Sequence, residues 1–329
     1  MKKILLFEPW HLGDVAVALS VIKPYRQAGH EFGLVCNKQW KEWALGTEMI
    51  SSVIDFAPPW TYRKRREKYN PLNYKIGQIK KFRSQVLDYH PDRIVDLRGD
   101  IRANYFLKLL FGRKIKIIGS RLPDGANVYK RGEVLQKHLR KNPIPIITTH
   151  KGQPVKTIAL FFGAADSNRM LPFKKALELI TALSEQNFCL NLILEPNADM
   201  RSVEEIRRNL TINTVKFIQG NVSCIADKIN HSDFVISTDS GWLHVAHFYS
   251  KPSIGLFGFD TMKTWLPPCS FCLTSDKLYP AEYRYQKRYR DLQPLSTLNI
   301  NTALELVQSV SHPQVGQAEE IQTISNINA

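Results

Sequence analysis

At 329 residues the chain has room for two domains with separate cores, and 43% hydrophobic and 23% charged residues describe an ordinary globular protein. No apolar run approaches the ~20 residues of a membrane span, which excludes a helical membrane protein. The net charge of +15 is lopsided: residues 1–152 hold 29 Lys and Arg against 13 Asp and Glu, while residues 153–329 hold 16 against 17. The first half therefore calls for an anionic partner, whether nucleic acid, phospholipid or a phosphorylated substrate.

Lys2–Pro9 is an apolar run too short for a signal-peptide core and reads as a first buried strand, so a cytoplasmic protein is expected. Trp10–Asp14 reads as a turn, and Val15–Tyr25 repeats apolar residues at helical spacing. Strands are expected at Phe32–Cys36, Val53–Phe56, Arg93–Leu97 and Lys114–Ile118. Helices are expected around Trp40 and Trp43, over Tyr74–Tyr89 and over Ala103–Leu110. Pro58–Asn73 is polar, aromatic and basic without a period, and reads as a loop. Strands alternating with helices predict an α/β domain with a doubly wound parallel sheet over residues 1–150.

Pro143, Pro145, Gly152 and Pro154 break the pattern and mark a linker. The alternation restarts with strands at Thr157–Phe162, Leu190–Leu194, Val215–Ile218, Phe234–Ile236 and Pro252–Phe257. Helices are expected from Pro172, over Val203–Asn209 and Cys224–Asn230, from Trp242, and over Ser296–Val310. This makes a second domain of the same class over 151–310, followed by a polar tail, 311–329, expected to be disordered. The five cysteines are scattered and form no disulfide framework. Cys269 and Cys272 have CxxC spacing, but no second pair or nearby His pair completes a tetrahedral metal site. No metal and no cofactor are expected.

Neither domain's first strand is followed by Gly-x-Gly-x-x-Gly, so dinucleotide dehydrogenases lose support. The most informative stretch is Phe234–Ala246, an apolar strand that breaks at Ser237-Thr238-Asp239-Ser240-Gly241 before a helical pattern. Gly241 lets a ligand approach the backbone, and the amides of the following helix point at it. The same turn also reads as a plain Asp/Ser helix cap.

Four stretches in register carry a resemblance. They are Leu12-Gly-Asp14, Ile94-Val-Asp-Leu-Arg-Gly99, Phe162-Gly-Ala164 through Arg169 and Pro172, and Ser237–Ala246 followed by Lys251-Pro252 and Leu256-Phe-Gly258. Together they resemble the bacterial lipopolysaccharide heptosyltransferases, glycosyltransferase family 9. The resemblance implies a GT-B fold, two Rossmann-like domains facing a central cleft, and metal-independent inverting transfer of a heptose from ADP-heptose. It implies Asp14 as general base and Arg169, where the family often has Lys, as the cation facing the donor diphosphate. Thr238, Asp239, Ser240, Gly241 and His244 match the donor-site signature, and Gly258 its downstream glycine. Gly258-Phe-Asp-Thr261 departs from the family's Gly-Pro-Thr-Asp order. Glu195, at the end of its strand, is a further donor-side candidate, equally readable as a solvated carboxylate.

The implied acceptor, a phosphorylated lipid-linked saccharide, suits the basic half. Trp60–Arg83 holds nine basic residues and one acid, with Arg63 and Arg66 at its centre, and Arg98 and Arg102 stand at or after a strand's carboxyl end. Such an acceptor implies peripheral contact with the cytoplasmic face of the inner membrane. Three alternatives stay open: another nucleotide sugar or acceptor, a catalytically inactive family member, and a nucleic-acid-binding protein using Arg63–Lys68. The last leaves the Asp239 turn without a purpose and has no recognisable nucleic-acid module, so nucleic acid is not the expected partner.

Overall fold

The computed structural model describes residues 2–61, 75–119, 121–139, 154–194, 200–209 and 214–311. The chain forms two compact units, Met1–Ile147 and Thr148–Ala329.

The first unit runs β1 (Lys3–Phe7), α1 (Leu12–Gln27), β2 (Glu31–Cys36), α2 (Lys38–Gly46), β3 (Ser52–Asp55), α3 (Ile76–Tyr89), β4 (Arg93–Asp96), α4 (Ile101–Phe111), β5 (Lys116–Gly119) and α5 (Arg131–Leu139). All five strands are parallel, in the order β3-β2-β1-β4-β5. Helices cover the sheet, so the central strand is buried throughout Ile4–Phe7 and reads as a continuous apolar run. Phe7, Phe56, Phe82 and Phe111 form an aromatic core, with Phe56 stacked on Phe82 at 4.1 Å.

Helix α1 is buried on all sides over its first half, where every residue from Leu12 to Leu19 is buried. It starts earlier than the expected turn allows. Leu12, Gly13 and Asp14 already form its first turn, where unpaired amides and the helix dipole favour a carboxylate. Helix α5 was not expected, because Arg131–Leu139 is short and charged. Val134, Leu135 and Leu139 bury its inner face, and the Tyr25 hydroxyl on α1 donates to the Gly132 carbonyl at 3.0 Å. That bond fixes α5 against α1 and brings Arg131 to Asp14.

The second unit runs β6 (Thr157–Phe161), α6 (Phe173–Glu185), β7 (Cys189–Ile193), α7 (Met200–Asn209), β8 (Val215–Ile218), α8 (Val222–Asn230), β9 (Phe234–Thr238), α9 (Gly241–Phe248), β10 (Ser253–Phe259), α10 (Met262–Trp265), β11 (Phe271–Tyr279) and α11 (Ile300–Ser311). Its six parallel strands take the order β11-β10-β9-β6-β7-β8. Strand β10 runs two residues further than expected, and all seven of its residues are buried. Gly258 and Phe259 are therefore strand, not turn. A Cβ on Gly258 would sit 2.4 Å from the Cβ of Pro294, so glycine there lets the Pro294 turn pack on the strand. Edge strand β11 was not expected either, since Asp276 and Lys277 interrupt its apolar character.

In each unit the strand order reverses once, between β1 and β4 and between β6 and β9. Loops leaving the carboxyl ends of such a pair turn to opposite sides of the sheet and open a crevice. Both informative turns of the sequence, after β1 and after β9, lie at these two points. Among the described residues no helix is long and apolar enough to cross a membrane.

Candidate active site

At the β1/β4 point, Asp14 is buried at 4% exposure, with one guanidinium on each oxygen. Arg98 Nη1 lies 3.3 Å from Oδ2, and Arg131 Nη1 lies 3.2 Å from Oδ1. Burial by itself would raise the carboxyl, but Arg98, Arg131 and His11 together outweigh it and hold Asp14 below the ordinary carboxylate range. The group is thus kept ionised, at the expense of basicity. Arg131 is as buried as its partner, whereas the Arg98 side chain is 36% exposed and lies over the Trp10 ring at 4.2 Å.

Two more carboxyls belong to this cluster, and sequence reasoning did not select either. Glu8, just past β1, is fully buried, and neither carboxyl oxygen has a hydrogen-bond partner among the described residues. Burial pushes it well above the ordinary range against the pull of Arg131, with Asp14 and Asp96 repelling it further. Asp96, at the end of β4, accepts from the Arg98 and Gly99 amides at 3.1 Å each and so shapes the turn that aims Arg98. The available signal was a carboxylate closing an apolar strand at the reversal of strand order.

Burial pushes Asp96 up to about 7, although the turn amides pull the other way. Between the ordinary value, ~3.9, and about 7 the unfolded chain releases this proton and the folded chain keeps it. Native stability therefore falls as pH rises through that window. Asp96→Asn keeps the amide-accepting oxygen and removes the penalty. Chemical unfolding should show the variant gaining on the wild type between about pH 4 and 7, by up to ~4 kcal/mol in all. Parallel pH profiles for the two proteins would refute this.

Beyond β4, a cavity of about 720 Å³ is lined by four cations, Arg98, Arg102, Lys108 and Arg121, and one acid, Asp100, with Asn104 and Tyr105 among its walls. Asp100 caps α4 through the Arg102 and Ala103 amides and also binds the Arg102 guanidinium, at 3.0 and 2.6 Å. Arg98 and Arg102 thus line one cavity. Arg63 and Arg66 lie outside the described residues, as does Glu195.

At the β6/β9 point a second buried charge cluster forms. Arg169 closes a 3₁₀ turn after β6; its Nη1 donates to the Asp239 carbonyl and its Nη2 to Asp166 Oδ2 at 3.2 Å. Asp239 Oδ2 also accepts from Arg284 Nη1 at 3.2 Å and from the Thr261 hydroxyl at 3.3 Å. Burial and the neighbouring Arg284 lower Arg169 from its ordinary value, while Asp239 and Asp166 oppose them. Two carboxylates and two guanidiniums balance here, which is what a buried ionic cluster requires.

The backbone around this cluster is equally fixed. Thr238 donates to the Gly163 carbonyl at 2.5 Å, tying the end of β9 to the loop after β6. Ser240 caps α9 through the Trp242 amide at 3.3 Å and shares a 2.9 Å contact with the Ser237 hydroxyl. The cap reading of this turn is therefore correct, and it leaves α9's N-terminal amides at the crevice. His244 is buried on α9, edge-on to Trp265 at 6.0 Å.

The structure thus unites Arg169 with Thr238, Asp239, Ser240 and Gly241, adds Asp166, Thr261 and Arg284, and places Gly258 in packing against Pro294. Arg284 comes from the aromatic, basic stretch Tyr283–Arg290, where Tyr283 stacks on Tyr289 at 3.9 Å. The sequence shows the aromatic and basic character of this stretch, but not that Arg284 reaches Asp239. No group of His, Cys, Asp and Glu among the described residues is placed to hold a metal ion.

Residues 134–277 match the model of glycosyltransferase family 9 (heptosyltransferase), a span that includes Arg169, the Asp239 turn and Gly258. The fold is shared with the E. coli heptosyltransferase WaaC with ADP-2-deoxy-2-fluoro heptose, at TM-score 0.70 and 14% identity over 93% of this chain and 99% of that one. It is also similar to the family 9 glycosyl transferase of Veillonella parvula, at TM-score 0.69 and 13% identity over 95% and 98%. The E. coli ADP-heptose lps heptosyltransferase II follows at TM-score 0.67 and 14% identity, over 94% and 98%. No curated protein matches the chain in sequence. The span around the second cluster is thus similar to family 9 glycosyltransferases, and the two-sheet architecture is the GT-B fold of the heptosyltransferase structures above.

Proposed function

We propose that the protein transfers a heptose from ADP-heptose to a phosphorylated, lipid-linked saccharide of the lipopolysaccharide inner core, with inversion. The observation that carries this reading is Asp14, a buried carboxylate kept ionised at the reversal point of the first sheet by Arg98 and Arg131. In a single displacement the acceptor hydroxyl oxygen attacks the anomeric carbon, the bond from that carbon to the diphosphate oxygen breaks, and Asp14 takes the hydroxyl proton. Arg169 and the amides of Ser240 and Gly241 stabilise the departing ADP. Asp239 orients the cations through Oδ2, which leaves Oδ1 to meet a sugar hydroxyl.

The clamp on Asp14 adds a condition. A carboxylate below its ordinary range is a weak base. Arg98, the exposed half of the clamp, also lines the basic cavity. An acceptor phosphate in that cavity shares the Arg98 charge, weakens its hold on Asp14 and raises the basicity of the carboxylate when substrate is present. The protein would work on the cytoplasmic side of the inner membrane, in peripheral contact with it.

Thermal unfolding against a panel of ADP-, UDP- and GDP-sugars tests the donor. At a hundredfold excess over Kd a ligand adds ~2.7 kcal/mol, enough for a clear upward shift. ADP-sugars should give that shift with the wild type and fail to give it with Asp239→Ala. A folded wild type that responds to no nucleotide sugar would sink the reading.

A further inference from the structure

Seven large hydrophobic side chains stand exposed among the described residues, and three of them lie on α4: Ile101 at 70%, Tyr105 at 72% and Leu109 at 85%. Their four-residue spacing sets them in one stripe along the helix. The opposite face, Ala103, Leu107 and Phe111, is already buried in the core. Helix α4 is thus apolar inward and outward, and the outward stripe has no core left to enter. Contiguous exposed apolar side chains of this kind mark an interaction surface.

The surroundings of the stripe identify the partner. From Asp100 to Asp124 the sequence holds six basic residues and two acids; Arg102 pairs with Asp100 and Arg121 with Asp124, and Lys108, Arg113, Lys114 and Lys116 are exposed. The basic cavity opens beside the first half of the stripe, sharing Ile101 and Tyr105 with it. A second copy of this chain would bring the same cations against themselves. A row of Ile, Tyr and Leu flanked by cations matches an apolar layer beneath a negatively charged surface, with Tyr at the depth where its ring is apolar and its hydroxyl is wet.

We propose that α4 docks the first unit on an anionic lipid bilayer. Ile101, Tyr105 and Leu109 enter the boundary between headgroups and acyl chains, while Lys108, Arg113 and Lys114 meet lipid phosphates. This deepens the membrane-side reaction proposed above and rests on it for its purpose, but the docking is measurable without any transfer.

Co-sedimentation of the full chain with vesicles tests it, using phosphatidylcholine alone and phosphatidylcholine mixed with phosphatidylglycerol. The wild type should partition at least tenfold more strongly onto the mixed vesicles, and added salt should weaken that binding. The double substitution Tyr105→Ser/Leu109→Ser changes no charge and removes two exposed side chains. It should lower partitioning at least tenfold with the thermal midpoint unchanged. Lys108→Ala/Arg113→Ala should weaken binding and flatten its salt dependence. Equal binding by the Tyr105/Leu109 variant would overturn the proposal, as would a wild type indifferent to phosphatidylglycerol. A concentration-dependent dimer abolished by the same variant, without vesicle binding, would assign the stripe to self-association and also overturn it. No nucleotide sugar enters these measurements, so failure of the donor reading registers separately.

Discussion

Asn at position 14 should leave the nucleotide-sugar response in place and lower transfer by ~10²–10⁴-fold, the usual contribution of a positioned general base. The substitution preserves shape and one acceptor oxygen, so Arg131 keeps a hydrogen bond while losing its counter-charge. That loss is also structural. Removing one partner of a buried ion pair costs ~3–5 kcal/mol in the unfavourable limit, and Asn moderates this by staying polar. Thermal melts and donor titrations beside the transfer assay separate the two effects, and unimpaired transfer by Asp14→Asn would remove Asp14 from the role. The wild type's pH dependence follows from the same clamp. The folded carboxyl lies below its unfolded value, so its stabilisation is present above pH ~4 and is lost as pH falls through the folded value. Arg98→Ala relaxes the clamp and raises the carboxyl, so the acidic limb of the transfer profile should move to higher pH. A limb that stays in place would mean that another group sets it.

Arg169→Ala should cost the second unit several kcal/mol and abolish the donor response together. The guanidinium bridges the Asp239 carbonyl to Asp166 Oδ2 from a side chain 9% exposed. Its removal leaves Asp166 and Asp239 sharing Arg284, with a vacated buried space; breaking such an arrangement costs ~3–5 kcal/mol. Arg169→Lys is the informative companion. It restores the charge without the planar fork, so one of the two bridged groups goes unmet and the loss should be intermediate. If Arg169→Ala melts like the wild type, the cluster is not the brace described here. If it binds ADP-sugars undiminished, Arg169 does not face the diphosphate.

The architecture was legible because both domains alternate apolar strand runs with helices of regular apolar spacing, a pattern that local physics imposes on the chain. Elements carrying their own apolar signal, such as Phe32–Cys36 and Val215–Ile218, were placed closely. Helix α5 and strand β11 were not, since each owes its conformation to what it packs on. Arg131–Leu139 is held by α1, and Phe271–Tyr279 is an edge strand built on β10.

The site divides the same way. The Thr238–Gly241 turn is readable without partners, because an acid and a glycine directly after an apolar run are a local feature, whereas Asp14 and Arg169 were singled out by the family resemblance. Sequence alone could not show that Asp14 is clamped, since Arg98 and Arg131 lie 84 and 117 residues away. Nor could it show that Asp239 is held by an arginine 45 residues downstream. Parallel sheets collect the ends of strands distant in sequence at one edge, so charge pairing there is set by strand order, which composition and periodicity do not encode. Sequence supplied the fold class and the charged residues at the strand ends. Which of them face each other, and therefore which are ionised, protonated or weakened as bases, was decided only when the sheets formed.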